Sequence, residues 1–296
     1  MSDLPTISCR LQDATVHTEG DRLVVTTGVV RRVWKMAPSG LSTCEVRHEG
    51  SGCVRKSDAG LCDWQFPDVA EPSDAVLVSL AAEIGDDEGF TSEHIRTTVE
   101  FDYPQAKWRI RLEIWAYPGV PGIRTHLAVR DLPEADHSGP NLQGAPPEGR
   151  VDRVPLGDAP CRRRLIGYYG GTQQRNDTHL DLLKEEVISH PLHGREWCDW
   201  ASAFCIEDDS GGLALVKESH KCVNQQGHAT GGFVCDSEQG LVSTGWGLRP
   251  GEVTGDEYTS GWATWCLAWS GGDLERQSAF KAFDRVRYPI APKPDI

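Results

Sequence analysis

The chain contains no run of about 18 apolar residues, the minimum for a membrane-spanning helix. Its first ten residues, MSDLPTISCR, lack the basic and apolar regions of a secretory leader, so a cytoplasmic protein is expected. Basic charge is also short. Lys and Arg together number 30 against 44 Asp and Glu, a net charge of -14 that opposes binding to nucleic acid or an anionic membrane. Ten cysteines are spread over the chain without a CxxC pair, which points away from a zinc or redox motif and toward reduced, buried thiols. There is no GxSxG, no P-loop and no GxGxxG, and no motif calls for a metal or a cofactor.

What is present is a succession of strand patterns separated by turns. In Lys107–Trp115, Trp108, Ile110, Leu112 and Ile114 alternate with Arg109, Arg111 and Glu113, the period of a half-buried strand. Leu23–Val33, Val76–Ile84, Ile95–Phe101, Ile123–Arg130, Leu213–Val216 and Trp262–Trp269 are further strand candidates. Turn chemistry falls between them at 19–21 (EGD), 85–89 (GDDEG), 117–122 (YPGVPG) and 208–212 (DDSGG). A meander of this kind predicts antiparallel sheets packed face to face. The Pro- and Gly-rich stretch 132–160 predicts a long surface loop inside one sandwich domain over 1–272.

One helix is expected, over Asp273–Tyr288. Phe280, Phe283 and Val286 share a face there, Asp273 is placed to accept the first free N–H groups, and Pro289, Pro292 and Pro294 stop the helix. Residues 273–296 thus read as a connector to another domain, or as a helix that caps the sandwich.

Polar chemistry concentrates in the second half. Gly167–Asp177 (GYYGGTQQRND) has the composition of a polar pocket or of a turn between strands. His190–Trp200 (HPLHGREWCDW) brings two imidazoles, two carboxylates and two indoles into eleven residues. Indole rings stack on the C–H faces of sugars while carboxylates take the hydroxyls, so Trp197, Asp199 and Trp200 suit a carbohydrate. His193 and Glu196 form an alternative acid–base pair for an epimerase- or lyase-like reaction, and His190, His193 and Glu196 also permit a metal reading. Trp262, Trp265 and Trp269 lie in an apolar strand and are expected in the core.

The order GDRLVVTTGVVRRVWK (20–35), DWQF (63–66), IRLEIWAYPGVPGIRTHLAV (110–129), GGLALVKESH (211–220) and TGWGL (244–248) resembles the N-terminal domain of family 36 glycoside hydrolases, the α-galactosidase and raffinose-synthase type. An aromatic residue followed by PGVPGIR is its most specific element. The resemblance implies an all-β, galactose-mutarotase-like supersandwich followed by a short C-terminal connector helix. It implies further that a (β/α)8 barrel outside this chain, as a domain or a subunit, carries both catalytic aspartates. It also implies that Asp63 and Trp64 reach the sugar. The expected function is that of a non-catalytic, carbohydrate-contacting module for α-linked galactosides, in a protein that is free to form homo-oligomers. The alternative is a self-sufficient sandwich enzyme built on His193 and Glu196.

Overall fold

A computed structural model describes residues 3–52, 54–58, 60–65, 73–131, 149–157, 162–168, 183–198, 200–218, 232–245 and 255–289. Every strand pairing among them is antiparallel. The first six strands form one sheet in chain order: β1 (Ser8–Leu11), β2 (Ala14–Glu19), β3 (Arg22–Thr26), β4 (Val30–Ala37), β5 (Gly40–His48) and β6 (Val54–Lys56). Four long strands follow: β7 (Val76–Gly85), β8 (His94–Tyr103), β9 (Trp108–Ala116) and β10 (Gly122–Arg130). After β11 (Arg150–Val154) come β12 (Arg162–Tyr168), β13 (Leu183–Ile188), β14 (Arg195–Cys198), β15 (Ala203–Asp208) and β16 (Gly211–Lys217). The chain continues through β17 (Phe233–Asp236), β18 (Gly240–Thr244), β19 (Thr259–Ser260) and β20 (Thr264–Ser270) into α1 (Asp273–Arg287).

A long sheet in the order β13-β12-β15-β16-β20-β10-β9-β8-β7, with β19 on β10, is the backbone of the molecule. The six-stranded sheet and a four-stranded sheet, β11-β18-β17-β14, both pack on its inner face. Alternation along each strand sends one set of side chains into that interface and the other set outward. On β9, Trp108, Ile110, Leu112 and Ile114 enter the main core, as their spacing predicts. On β20, Cys266 and Ala268 face inward, while Trp265, Leu267 and Trp269 face outward and are still buried. The cover on that outer side is α1, whose Phe280, Phe283 and Val286 pack on a second core cluster with Trp265 and Trp269. The ring centroids of Trp265 and Phe283 are 5.0 Å apart.

Several expectations are corrected. Leu23–Val33 is two strands, because the chain turns between β3 and β4 at Gly28, whose φ is 87°. Asp273 does not cap α1. The N-cap is Gly272, whose N–H donates to Glu275 Oε2 at 2.9 Å, while Asp273 accepts from Arg164 and Arg276. The stretch 132–160 is not all surface loop, since β11 lies within it and is buried at every residue. Its sequence, RVDRV, looks solvated because Arg150, Asp152 and Arg153 are charged, but Asp152 pairs with Arg32 and Arg153 donates to the Thr43 and Gln239 carbonyls inside the fold. Residues 132–148 and 158–160 of that stretch lie outside the described residues. Of the three expected core tryptophans, Trp265 and Trp269 are buried, whereas Trp262 precedes β20 and is half-buried. Cys62, Cys198, Cys205, Cys235 and Cys266 are buried, and burial pushes the Cys266 thiol up to about 12.

Ion pairs tether both ends of α1. Arg164 and Arg276 meet Glu185, Glu207 and Asp273 at the start. Near the end, Arg287 donates to Glu218, which also receives a bidentate pair from Arg124 at 2.9 Å and the Trp265 indole N–H at 2.6 Å. Burial opposes ionisation of Glu218, but these donors outweigh it and hold its pKa below the usual carboxylate range.

A depressed carboxylate pKa contributes stability above the unfolded value of about 4.5, and that stability is lost as pH falls through the folded value. The melting temperature is therefore expected to fall on acidification below about pH 4.5, and Glu218→Gln should reduce the steepness of that fall. Parallel pH–melting curves of the two proteins that keep the same slope would reject this role. A second expectation concerns the β15–β16 hairpin. Gly211 has φ +149°, and a Cβ there would lie 2.2 Å from the Trp269 carbonyl oxygen. Gly211→Ala should destabilise the fold by about 2 kcal/mol or more, read as a lower denaturation midpoint in urea.

Candidate functional site

The resemblance implies that Asp63 and Trp64 reach a sugar, and the structure places them in the interior. Asp63 is 3% exposed and Trp64 2%. Asp63 lies just beyond β6 and accepts from four donors: Arg32 Nη2 at 3.1 Å, the Trp34 indole N–H at 2.9 Å, the Thr43 backbone N–H at 2.8 Å and the Thr43 hydroxyl. Trp64 donates its indole N–H to the Tyr103 hydroxyl at 2.8 Å and lies in the main core. Neither side chain is available to a ligand in solvent. Both are corrected from substrate-contacting to structural residues, for a physical reason: a carboxylate with four donors is satisfied without a ligand.

Asp63 belongs to a buried polar network at the junction of all three sheets. Arg32 of β4 donates Nη1 to Asp152 Oδ2 of β11 at 3.1 Å, and its Nη2 also donates to Asp152 Oδ1. Its Nε reaches the Thr43 hydroxyl of β5 at 3.0 Å. Thr125 of β10 donates its hydroxyl to Asp152 at 2.8 Å, and Arg153 donates Nη1 to the Thr43 carbonyl at 3.2 Å. The Arg32 guanidinium also lies 4.5 Å from the Trp34 ring centroid. Arg32 thus faces two carboxylates, Asp63 and Asp152, and the nearby Arg153 charge also favours the ionised form of Asp63. Burial opposes the Arg32 charge, but Asp152 and Asp63 outweigh it and raise its pKa. Burial pushes Asp63 up, with Arg32 pulling against it. The backbone assists, because register shifts in β4–β5 beside Val33 and in β11–β18 beside Asp152 re-aim side chains next to the network.

The second cluster, His190–Trp200, straddles β14, the terminal strand of the four-stranded sheet among the described residues. Trp197 is 37% exposed and is the one large aromatic side chain that this segment presents to solvent among its described residues. Trp200 is half-buried against the core, and its ring lies over Gly167. A Cβ at 167 would meet Trp200 Cε3 at 2.8 Å, so the glycine is what admits the indole. Asp199 lies outside the described residues, as do 169–182, which hold most of the proposed polar loop.

Glu196 is engaged elsewhere than expected. Arg163 of β12, itself buried, donates Nε at 2.7 Å and Nη2 at 3.0 Å to the Glu196 carboxylate. The same Nη2 donates to the His190 carbonyl at 2.7 Å. Arg163 therefore fixes this segment to the long sheet and neutralises Glu196, while His193 is exposed. The acid–base pair of His193 with Glu196 is replaced by an arginine clamp, a partner that composition alone did not indicate. No three His, Cys, Asp or Glu side chains converge as metal ligands among the described residues, which removes the metal reading of His190, His193 and Glu196 there.

No protein-family model and no curated protein matches the chain. Solved structures do. The α-galactosidase of Lactobacillus brevis superposes with a TM-score of 0.53 at 10% identity, over 89% of this chain and 41% of that one. The family 36 α-galactosidase of Geobacillus stearothermophilus, in complex with 1-deoxygalactonojirimycin, gives 0.54 at 10% identity, over 90% of this chain and 43% of that one.

If Asp63 is structural, Asp63→Ala leaves Arg32 buried without one of its carboxylates and should cost about 3–5 kcal/mol of stability. Urea denaturation checks this, and a midpoint close to that of the unmodified protein would return Asp63 to the list of ligand-facing residues. At this level of identity the likeness establishes the fold: the chain has the β-sandwich architecture found in family 36 α-galactosidases and spans about two-fifths of the length of these two.

Proposed function

We propose that this chain is a non-catalytic, carbohydrate-contacting β-sandwich module of an α-galactosidase-like glycoside hydrolase, N-terminal to a catalytic barrel held on a further domain or a partner subunit. The observation that carries the reading is the superposition of about nine-tenths of this chain on only about two-fifths of two α-galactosidases. One of them is bound to 1-deoxygalactonojirimycin, which favours an α-linked galactoside as the sugar. The engagement of Glu196 by Arg163 argues against the self-sufficient enzyme. No helix of the described residues is long and apolar enough to cross a membrane, and the buried thiols of Cys205 and Cys266 suit a reducing compartment such as the cytoplasm.

Within this reading the sugar meets Trp197, with Asp199 and Trp200 beside it in sequence. Trp197 supplies an exposed indole face, and Arg163 holds the segment that presents it. Stacking of a sugar ring on an indole contributes about 1 kcal/mol beyond buried area.

Isothermal titration with galactose and raffinose, alongside release of galactose from an aryl α-galactoside, tests the proposal. Binding without turnover is expected, and Trp197→Ala should weaken it about fivefold with an unchanged melting temperature, because the side chain is partly exposed. Turnover by this chain alone would overturn the non-catalytic assignment, and no heat from either sugar would overturn the carbohydrate contact.

A further inference from the structure

We infer that the outer edge of β7 is a docking site for an extended apolar segment of a partner protein that carries Lys or Arg at both of its ends. Four observations converge on it. β7 is the terminal strand of the long sheet, ten residues long, and pairs on one side only, with β8, among the described residues. Its other edge presents a row of backbone N–H and C=O groups. Native sheets usually protect such an edge with lysine, proline or brevity. Here the strand is VLVSLAAEIG, with no proline and no lysine, and its one charge, Glu83, is neutralised by Arg96 of β8.

The flanking side chains are apolar on both faces. Val76, Val78 and Ile84 are 51%, 46% and 49% exposed, while Leu77, Leu80 and Ala82 are half-buried against the rim of the main core. An added strand would cover both sets at once. At the start of β7 an open groove of about 400 Å³ runs alongside, lined by Leu4, Pro5, Met36, Ala75 and Val76, with Asp3 as its charged member. Addition of a strand to an exposed edge, with side-chain pockets beside it, is an established mode of peptide recognition.

Charge chooses the occupant. Asp3 and Asp74 stand at one end of the edge, and Asp86, Asp87 and Glu88 at the other. Arg287 approaches Asp87 at 3.9 Å, while Asp86 and Glu88 are exposed. A second copy of β7, paired antiparallel about a two-fold axis with Val76 opposite Gly85, would bring Asp74 opposite Asp87 at both ends. Two chains of net charge -14 would repel there as well. A strand with basic ends meets the opposite condition, attraction at both ends and apolar contact between them. The inference is independent of the carbohydrate reading, since β7 and β14 lie in different sheets.

The test is fluorescence anisotropy with a labelled peptide of alternating valine and threonine, matched in length to β7 and carrying lysines at both ends. A second peptide carries glutamates instead. The lysine peptide should bind at least tenfold more tightly than the glutamate peptide, and its affinity should fall with added salt. Ile84→Lys and Val78→Lys, both at exposed positions, should weaken it at least fivefold. Asp86→Asn with Glu88→Gln should narrow the difference between the peptides while the melting temperature stays constant. Equal binding of the two peptides, or none by the lysine peptide, would overturn the proposal. So would a dimer in sedimentation equilibrium that Val78→Lys dissolves, because a second copy would then own the edge.

Discussion

The fold depends on one buried guanidinium. Arg32 reaches from β4 to Asp152 on β11, to Asp63 beyond β6 and to Thr43 on β5, and Asp152 in turn takes the hydroxyl of Thr125 on β10. These contacts join the two smaller sheets to the long one at a single point. Apolar packing between sheets is non-directional and tolerates sliding, whereas a fork of N–H donors facing two carboxylates accepts few arrangements. The network thus sets how the three sheets sit on one another, and the apolar core supplies most of the driving force around it. The pairing of Arg32 with Asp152 and Asp63 is what makes its charge tolerable in the interior, because an unpaired charge there would cost several kcal/mol.

The long sheet is buried on both faces along β15, β16 and β20, a consequence of α1 covering the side opposite the main core. Ion pairs near both ends of α1 hold it in register with Trp265 and Trp269. Through these contacts the helix behaves as a fixed part of the sandwich. A segment leaving its C-terminus would start from a set place, between the 86–92 turn and the outer face of β10. The Ser92 N–H donates to the Val286 carbonyl at 3.1 Å and anchors that corner.

Much of the architecture was legible in the residues. Period-2 alternation locates β9 closely, the candidate Ile95–Phe101 lies within β8, Gly- and Asp-rich turns separate the strands, and helical spacing of Phe280, Phe283 and Val286 identifies the face of α1 that is buried. The differences at β11 and Asp63 share one physical cause. β11 reads as loop because three of its five residues are charged, and the family resemblance alone puts Asp63 against a sugar. In both cases the charged side chain is buried by partners far away in the chain. Arg32 and Asp152 are 120 positions apart and Arg163 and Glu196 are 33, and no local pattern reports such pairs. The Trp197 and Trp200 cluster was visible as composition, but not which indole faces solvent.

The sequence alone therefore determined the class of fold, the strand and turn order, the terminal helix and the acidic character that disfavours polyanions. Those properties follow from local spacing and from total charge, which need no partner to be read. The tertiary structure decided which charges are buried, that Asp63 and Trp64 belong to the interior, that Arg163 claims Glu196, and that β7 ends the long sheet among the described residues. Each of these depends on which strands become neighbours, and that is set by long-range packing and pairing rather than by any residue and those beside it.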